Sequence, residues 1–284
     1  MTVAADPRAA MSAPAGGAAP SRRAELRAVL RRGLLDRRRV VLTWGLSLGA
    51  LGAFMAAIYP SIQSTVDEVA KNYPAGLREA FGVQAMDTVE GYVHAEMFSL
   101  IVPLAIGFFA IRAIASATVA AEENGELDTI LSLPLPRWVL MLGAYIVMAL
   151  STATIMAIVG VLTFLAGRLA GTHISAGLVT AGVLGVWPLA MFFGGVSGLI
   201  AGAMHSSRSV IGIAVGVLVG MYALDLAGRL AHNLEMIRWL SAFRYYGAPM
   251  RDGIDPVTFI GLTLAGLLLL GLGTHLFERR DVLH

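Results

Sequence analysis

Trp138–Gly167, WVLMLGAYIVMALSTATIMAIVGVLTFLAG, holds no charged residue. As a helix rising about 1.5 Å per residue it reaches about 45 Å, beyond the roughly 30 Å hydrocarbon core of a bilayer. It therefore reads as a membrane span, long enough to tilt or to project past the hydrocarbon. Working outward, Val40–Tyr59, Met97–Val119, Ile174–Met204, Val210–Leu230 and Val257–Leu276 read the same way. The turn at RLAGTH, Arg168–His173, is all that separates the third and fourth spans, so these should form a hairpin. The composition agrees: 57% hydrophobic and 14% charged, against about 45–50% and about 25% in ordinary domains. The expected fold is an all-α membrane protein, a six-span domain over residues 40–284.

The flanks set an orientation. Residues 1–20, rich in Ala, Pro and Gly, cannot bury enough surface to offset ordering entropy and read as a disordered tail. Residues 21–39, SRRAELRAVLRRGLLDRRR, place Leu26, Val29, Leu30 and Leu34 at helical spacing among arginines. That is the pattern of a basic amphipathic helix lying in the membrane interface. With this end in the cytoplasm, most of the 21 Lys and Arg residues fall on cytoplasmic segments, in accord with the positive-inside rule. An even number of spans returns the C-terminus to the same side. Residues 60–96 and 231–256 then read as external segments with short amphipathic helices. The near-absence of lysine, with abundant Ala and Gly, suggests a GC-rich, bacterial genome, and a multi-span protein of a bacterium is expected in its plasma membrane. There is no cysteine, hence no disulfide or Cys-held metal, and the six histidines lack metal-site spacing. The arginine-rich start adjoins a span, which argues against a nucleic-acid partner.

Between spans two and three runs AAEENGELDTILSLPLPRW, Ala120–Trp138. Asn124 or Gly125 can open a short helix, Leu127, Ile130 and Leu131 share one face of it, and Pro134 and Pro136 stop it. The product is a cytoplasmic helix with an apolar ridge, which needs lipid or a partner's groove to cover it. This stretch resembles the first cytoplasmic loop of the permease subunits of ABC-2 type transporters. The pattern there is roughly Glu-Glu-x-Gly-Thr-Leu-x-x-Leu-Leu-Ser-x-Pro-x-Ser-Arg. Glu122, Glu123, Gly125, Leu127, Leu131, Ser132, Pro134 and Arg137 match it; Glu126, Ile130 and Pro136 depart from it without changing the ridge. The likeness extends over nearly the whole chain past residue 21, including YP…L…AFG and the tail FERRDV.

The resemblance implies a mechanism. The loop helix would be a coupling helix seated in a separate ATPase subunit. Two ATPases would work with two permease subunits, identical or related, to export a drug, antibiotic, lipid or other amphipathic cargo. This chain has no GxxxxGK[ST] loop, so ATP and Mg would be bound by the partner, and no cofactor is expected here. Leu127, Ile130 and Leu131 would be buried in the partner; Glu122 and Glu123 would meet its basic groups or cap the helix; Arg137 would anchor on the partner or on lipid phosphate.

Gly194, Gly198 and Gly202 in span four, and Gly212, Gly216 and Gly220 in span five, are small-residue ladders that permit close helix packing. Arg112 and Asp225 are ionisable residues inside spans and so candidates for the substrate pathway. They sit at different depths, which argues against their pairing; Asp225 has Arg229 one turn on. Ser197, in GVSG, and His275 form a remote rhomboid-like protease pair. An ion-coupled or passive carrier without an ATPase is the main alternative, though no internal repeat of the kind carriers show is visible.

Overall fold

The structure, a computed structural model, describes residues 22–72, 88–123 and 137–279. Helix α1, Arg22–Asn72, is 51 residues long, about 76 Å at helical rise. It joins the expected interfacial helix and first span into one rod. No Gly or Pro stands between the arginine-rich start and Val40 to break the helix after its single Gly33, so the boundary at residue 39 is a change of chemistry along a continuous element. The rod also runs through Pro60, so residues 60–72, expected to belong to an external segment, are its last turns. Being far longer than the hydrocarbon is thick, α1 must project beyond it.

A short helix α2, Val89–Val93, is capped by the Thr88 hydroxyl, which accepts from the Gly91 N–H at 3.1 Å, and passes into a π-helical turn at His94–Phe98. Then come α3, Ile101–Ala117, and α4, Val119–Glu123. The break between them lies at Thr118, whose hydroxyl donates back to the Ile114 carbonyl at 2.8 Å, a bond that competes with the helix ladder. Helix α5 is Arg137–Leu169 and α6 is Ala176–Gly185. They form the expected hairpin, turning at Gly171 with φ 80° and stopped by Ser175, whose hydroxyl caps α6. The fourth span is two helices rather than one: Pro188 opens α7, Trp187–Ala203, at the position where a missing N–H costs nothing. Helix α8, Ser207–Leu230, is followed by a 3₁₀ segment at His232–Leu240, by the short α9, Ala242–Tyr246, and α10, Pro249–Asp252, and by α11, Pro256–Arg279.

Six helical stretches are long and apolar enough to cross a membrane: 33–65, 101–123, 138–169, 176–203, 207–230 and 256–279. No strand occurs among the described residues. Helix α3 and the α6–α7 pair are the most buried and carry the core, with Phe98, Ile106, Ile111, Tyr145, Met148, Leu189 and Phe193 fully enclosed. The buried Tyr145 and Tyr246 hydroxyls each find a carbonyl, donating to Met191 at 2.7 Å and Phe98 at 3.0 Å, as enclosed tyrosines must. Helices α1, α8 and α11 are peripheral, with about a quarter or less of their apolar windows buried.

The two glycine ladders have opposite fates. Helices α7 and α11 pack backbone to backbone: a Cβ on the ladder residue Gly202 would lie 2.2 Å from the Gly273 carbonyl oxygen, and one on Gly195, beside the ladder, 2.2 Å from that of Gly266, while Gly194 faces the Met148 side chain of α5. In α8, a Cβ on Gly212, Gly216 or Gly220 would meet nothing within 4 Å.

Candidate coupling and translocation sites

The expected coupling segment emerges from α4. Gly125, Leu127, Ile130, Leu131, Ser132 and Pro134 lie outside the described residues. Arg137 begins α5, and Glu122 and Glu123 end α4. The Glu123 carboxylate accepts from the Ser207 backbone N–H at 3.0 Å and also from the Ser207 hydroxyl. Ser206, the residue in cap position on α8, makes no side-chain cap bond of its own. Glu123 thus caps α8 from another element, satisfying a donor that the helix leaves open with the charge sign that its N-terminus favours. Beneath this contact Ala115, Val119, Ala201 and Val210 form a small buried cluster. The stem of the loop therefore rests on the α7–α8 corner.

Just before the stem, the last turn of α3 is held by Arg37 of α1. Its guanidinium donates to the Ala113 carbonyl at 2.7 Å and to the Ser116 hydroxyl at 2.8 Å. Sequence reasoning counted Arg37 only as part of a basic flank. Its place one helix turn before the apolar run begins was the one signal available.

Asp225 is 2% exposed on α8. Arg229, one turn on, pairs with it at 2.6 Å, as its spacing suggested. The second partner, Arg238 at 3.0 Å, comes from the 3₁₀ segment and was not legible in the sequence. Room for the Arg238 stem is made by Gly228, where a Cβ would come within 2.2 Å of it. The carboxylate thus pins the 3₁₀ segment to α8. Arg112 lies exposed on α3, and the structure does not bring it to Asp225.

Beside this cluster is a small polar cavity of about 30 Å³, lined by His94, Ser99, Tyr222, Asp225, Arg229 and Tyr246 among others, large enough for a water molecule. The buried His94 imidazole has no partner for its Nδ1. Burial, then the positive charges of Arg251 and Arg229, pull its pKa down to about 4, with Asp252 opposing, so it is neutral at neutral pH. Asp252 itself is held below its usual range by the hydrogen bond from Arg251. Glu90, also buried, accepts from the Ser175 N–H at 2.6 Å and so ties α2 to the start of α6.

Ser197 is fully buried and its hydroxyl donates to the Ile111 carbonyl at 3.0 Å. His275 is exposed on α11. Ser197 thus serves to join α7 to α3. No group of His, Cys, Asp and Glu among the described residues has the disposition of a metal site.

Comparison with protein families matches residues 33–278 to the family described as multidrug efflux system permease Rv1217c, C-terminal domain. No curated protein matches the chain. The family match begins where the first apolar stretch begins and ends one residue short of the end of the sixth. The chain, with its six membrane-crossing helices, therefore belongs to the family of the multidrug efflux system permease C-terminal domain.

Proposed function

We propose that this chain is the transmembrane subunit of an ATP-driven exporter of ABC-2 type, moving amphipathic or lipophilic compounds out of a bacterial cell. The observation that carries the reading is the match to a multidrug efflux permease family over all six spans. It is supported by the Glu122–Arg137 loop, whose residues resemble a coupling helix. The chemistry then divides simply. The partner ATPase binds ATP and Mg, and this chain receives the resulting motion through the loop and rearranges its spans. Glu123, seated on the N-terminus of α8, gives a direct physical route from loop to span. Two permease subunits are the natural complement of two ATPases. The bare glycine face of α8, at Gly212, Gly216 and Gly220, is a suitable surface for a second copy or a relative, because small residues let membrane helices approach closely. In this reading the N- and C-termini are cytoplasmic, as the arginine distribution suggests.

The test is a pull-down of the solubilised protein from its native membranes, comparing wild type with a Leu127→Asp, Leu131→Asp double variant. An ATPase subunit is expected with wild type and not with the variant. Its absence from folded wild type would return the chain to the carrier reading, in which transport follows an ion gradient without ATP.

A further inference from the structure

We infer that the groove between α5 and α6 is a binding site for uncharged, aromatic lipophiles that enter from the bilayer. Its physiological meaning rests on the efflux reading above; its existence does not.

The groove encloses about 540 Å³, within the roughly 300–1,000 Å³ of small-molecule sites. Its floor is a row of small residues on one face of α5: Ala149, Ala153, Ala157 and Gly160, spaced by four, four and three. Larger side chains at these places would fill the hollow. Ala153 and Ala157 are exposed, so the groove opens sideways, toward lipid, over the middle of a span. One end is closed by Trp187 and Phe259 with ring centroids 6.2 Å apart and planes within 17°. The Trp187 indole N–H is already donated to the Ala149 carbonyl at 3.2 Å. Its polar handle is therefore satisfied, and what remains of the ring is apolar surface.

The chemistry of the lining selects the ligand. None of the described lining residues is charged, and the Thr180 hydroxyl is the main polar group beside the satisfied indole. A formal charge placed there at bilayer depth would lack a counter-charge and carry a heavy desolvation cost. Flat aromatic faces favour a ring that stacks over a flexible alkyl chain, which gains only area burial. An uncharged polycyclic molecule of drug size fits all of these features together.

The test uses the full chain in lipid nanodiscs, without any ATPase, and a background in which Trp44, Trp138 and Trp239 are Phe so that Trp187 alone reports. Nile red, a neutral planar lipophile, should quench Trp187 saturably. Ethidium, a planar cation, should not. Ala157→Leu or, independently, Ala153→Leu should weaken Nile red binding by roughly tenfold or more, since each places a branched side chain in the cavity. Melting temperature checks that each variant is folded. The inference is overturned if quenching is non-saturable, if both folded variants bind as wild type does, or if ethidium binds equally. It is overturned also if phospholipid of fixed headgroup displaces Nile red, making an acyl chain the occupant, or if quenching appears only when a copy-to-copy association is dissociated. Loss of Nile red binding leaves the ATPase pull-down untouched, and failure of the pull-down leaves the groove untouched, so the two readings fall separately.

Discussion

A single methyl group should have opposite effects on the two glycine ladders. In Gly202→Ala the new Cβ would sit 2.2 Å from the Gly273 carbonyl oxygen and 3.0 Å from its carbonyl carbon. A carbon comes no closer than about 3.3 Å to a carbonyl oxygen without repulsion. Helices α7 and α11 must therefore part by about 1 Å at this level. Neither neighbour can yield by rotating a side chain, because the obstacle is backbone. A gap of that size forfeits a quarter to a half of each dispersion contact along the seam, and overpacking of this kind typically costs about 1–3 kcal/mol. At roughly 2–4 °C per kcal/mol for a chain of this order, the melting temperature should fall by several degrees. In Gly216→Ala the Cβ meets nothing within 4 Å in its own chain, so in protein held monomeric by the detergent only the gain in helix propensity acts, up to about 1 kcal/mol, and the variant should melt at or slightly above wild type. The assay is thermal unfolding of the two purified proteins in one detergent, followed by tryptophan fluorescence. If Gly202→Ala melts with wild type, or if Gly216→Ala loses as much, the packing argument is refuted.

Three further outcomes follow from the polar contacts. Asp225→Ala leaves Arg229 and Arg238 without their carboxylate; because both retain some access to solvent, the loss should be about 2–3 kcal/mol rather than the upper range for buried pairs, and proteolysis within 232–240 should accelerate. For His94, the folded pKa of about 4 lies below the usual 6.5, so the unfolded chain binds the extra proton between those values and stability falls as pH drops through that window. About 2 kcal/mol should be lost between pH 8 and pH 5, and His94→Gln should flatten that slope in a melting series. Arg37→Ala should cost about 1–2 kcal/mol through its bonds to Ala113 and Ser116, with Arg37→Lys keeping part of it, read in the same unfolding assay.

The chain's sequence was most informative where the physics is one-dimensional. A bilayer demands about twenty apolar residues in a row, and each of the six runs found by that criterion overlaps one of the six helical stretches long and apolar enough to cross a membrane, with ends shifted by a few residues. The hairpin between Leu169 and Ala176 was legible for the same reason: Gly and polar residues interrupt two long apolar runs. The single rod of α1 was not anticipated, because a change from arginine to leucine alters what surrounds a helix without altering its backbone. The break before Pro188 was likewise hidden inside a continuous apolar run. At the candidate sites, Asp225 with Arg229 was visible as neighbours one turn apart. The bonds from Arg238 to Asp225 and from Glu123 to Ser207 join residues 13 and 84 positions apart, and no local spacing encodes them.

The glycines mark the division most clearly. GxxxGxxxG is the same string in α7 and α8, and composition alone gives the two equal standing. Length and hydropathy determined that both lie in membrane-crossing helices. Only the tertiary structure decided that Gly198 and Gly202 of the α7 string face Leu270 and Gly273 of α11, while Gly212, Gly216 and Gly220 face outward. The physical reason is that crossing a bilayer is a property of one segment and its solvent, whereas which face of a helix meets a neighbour depends on every other helix in the bundle.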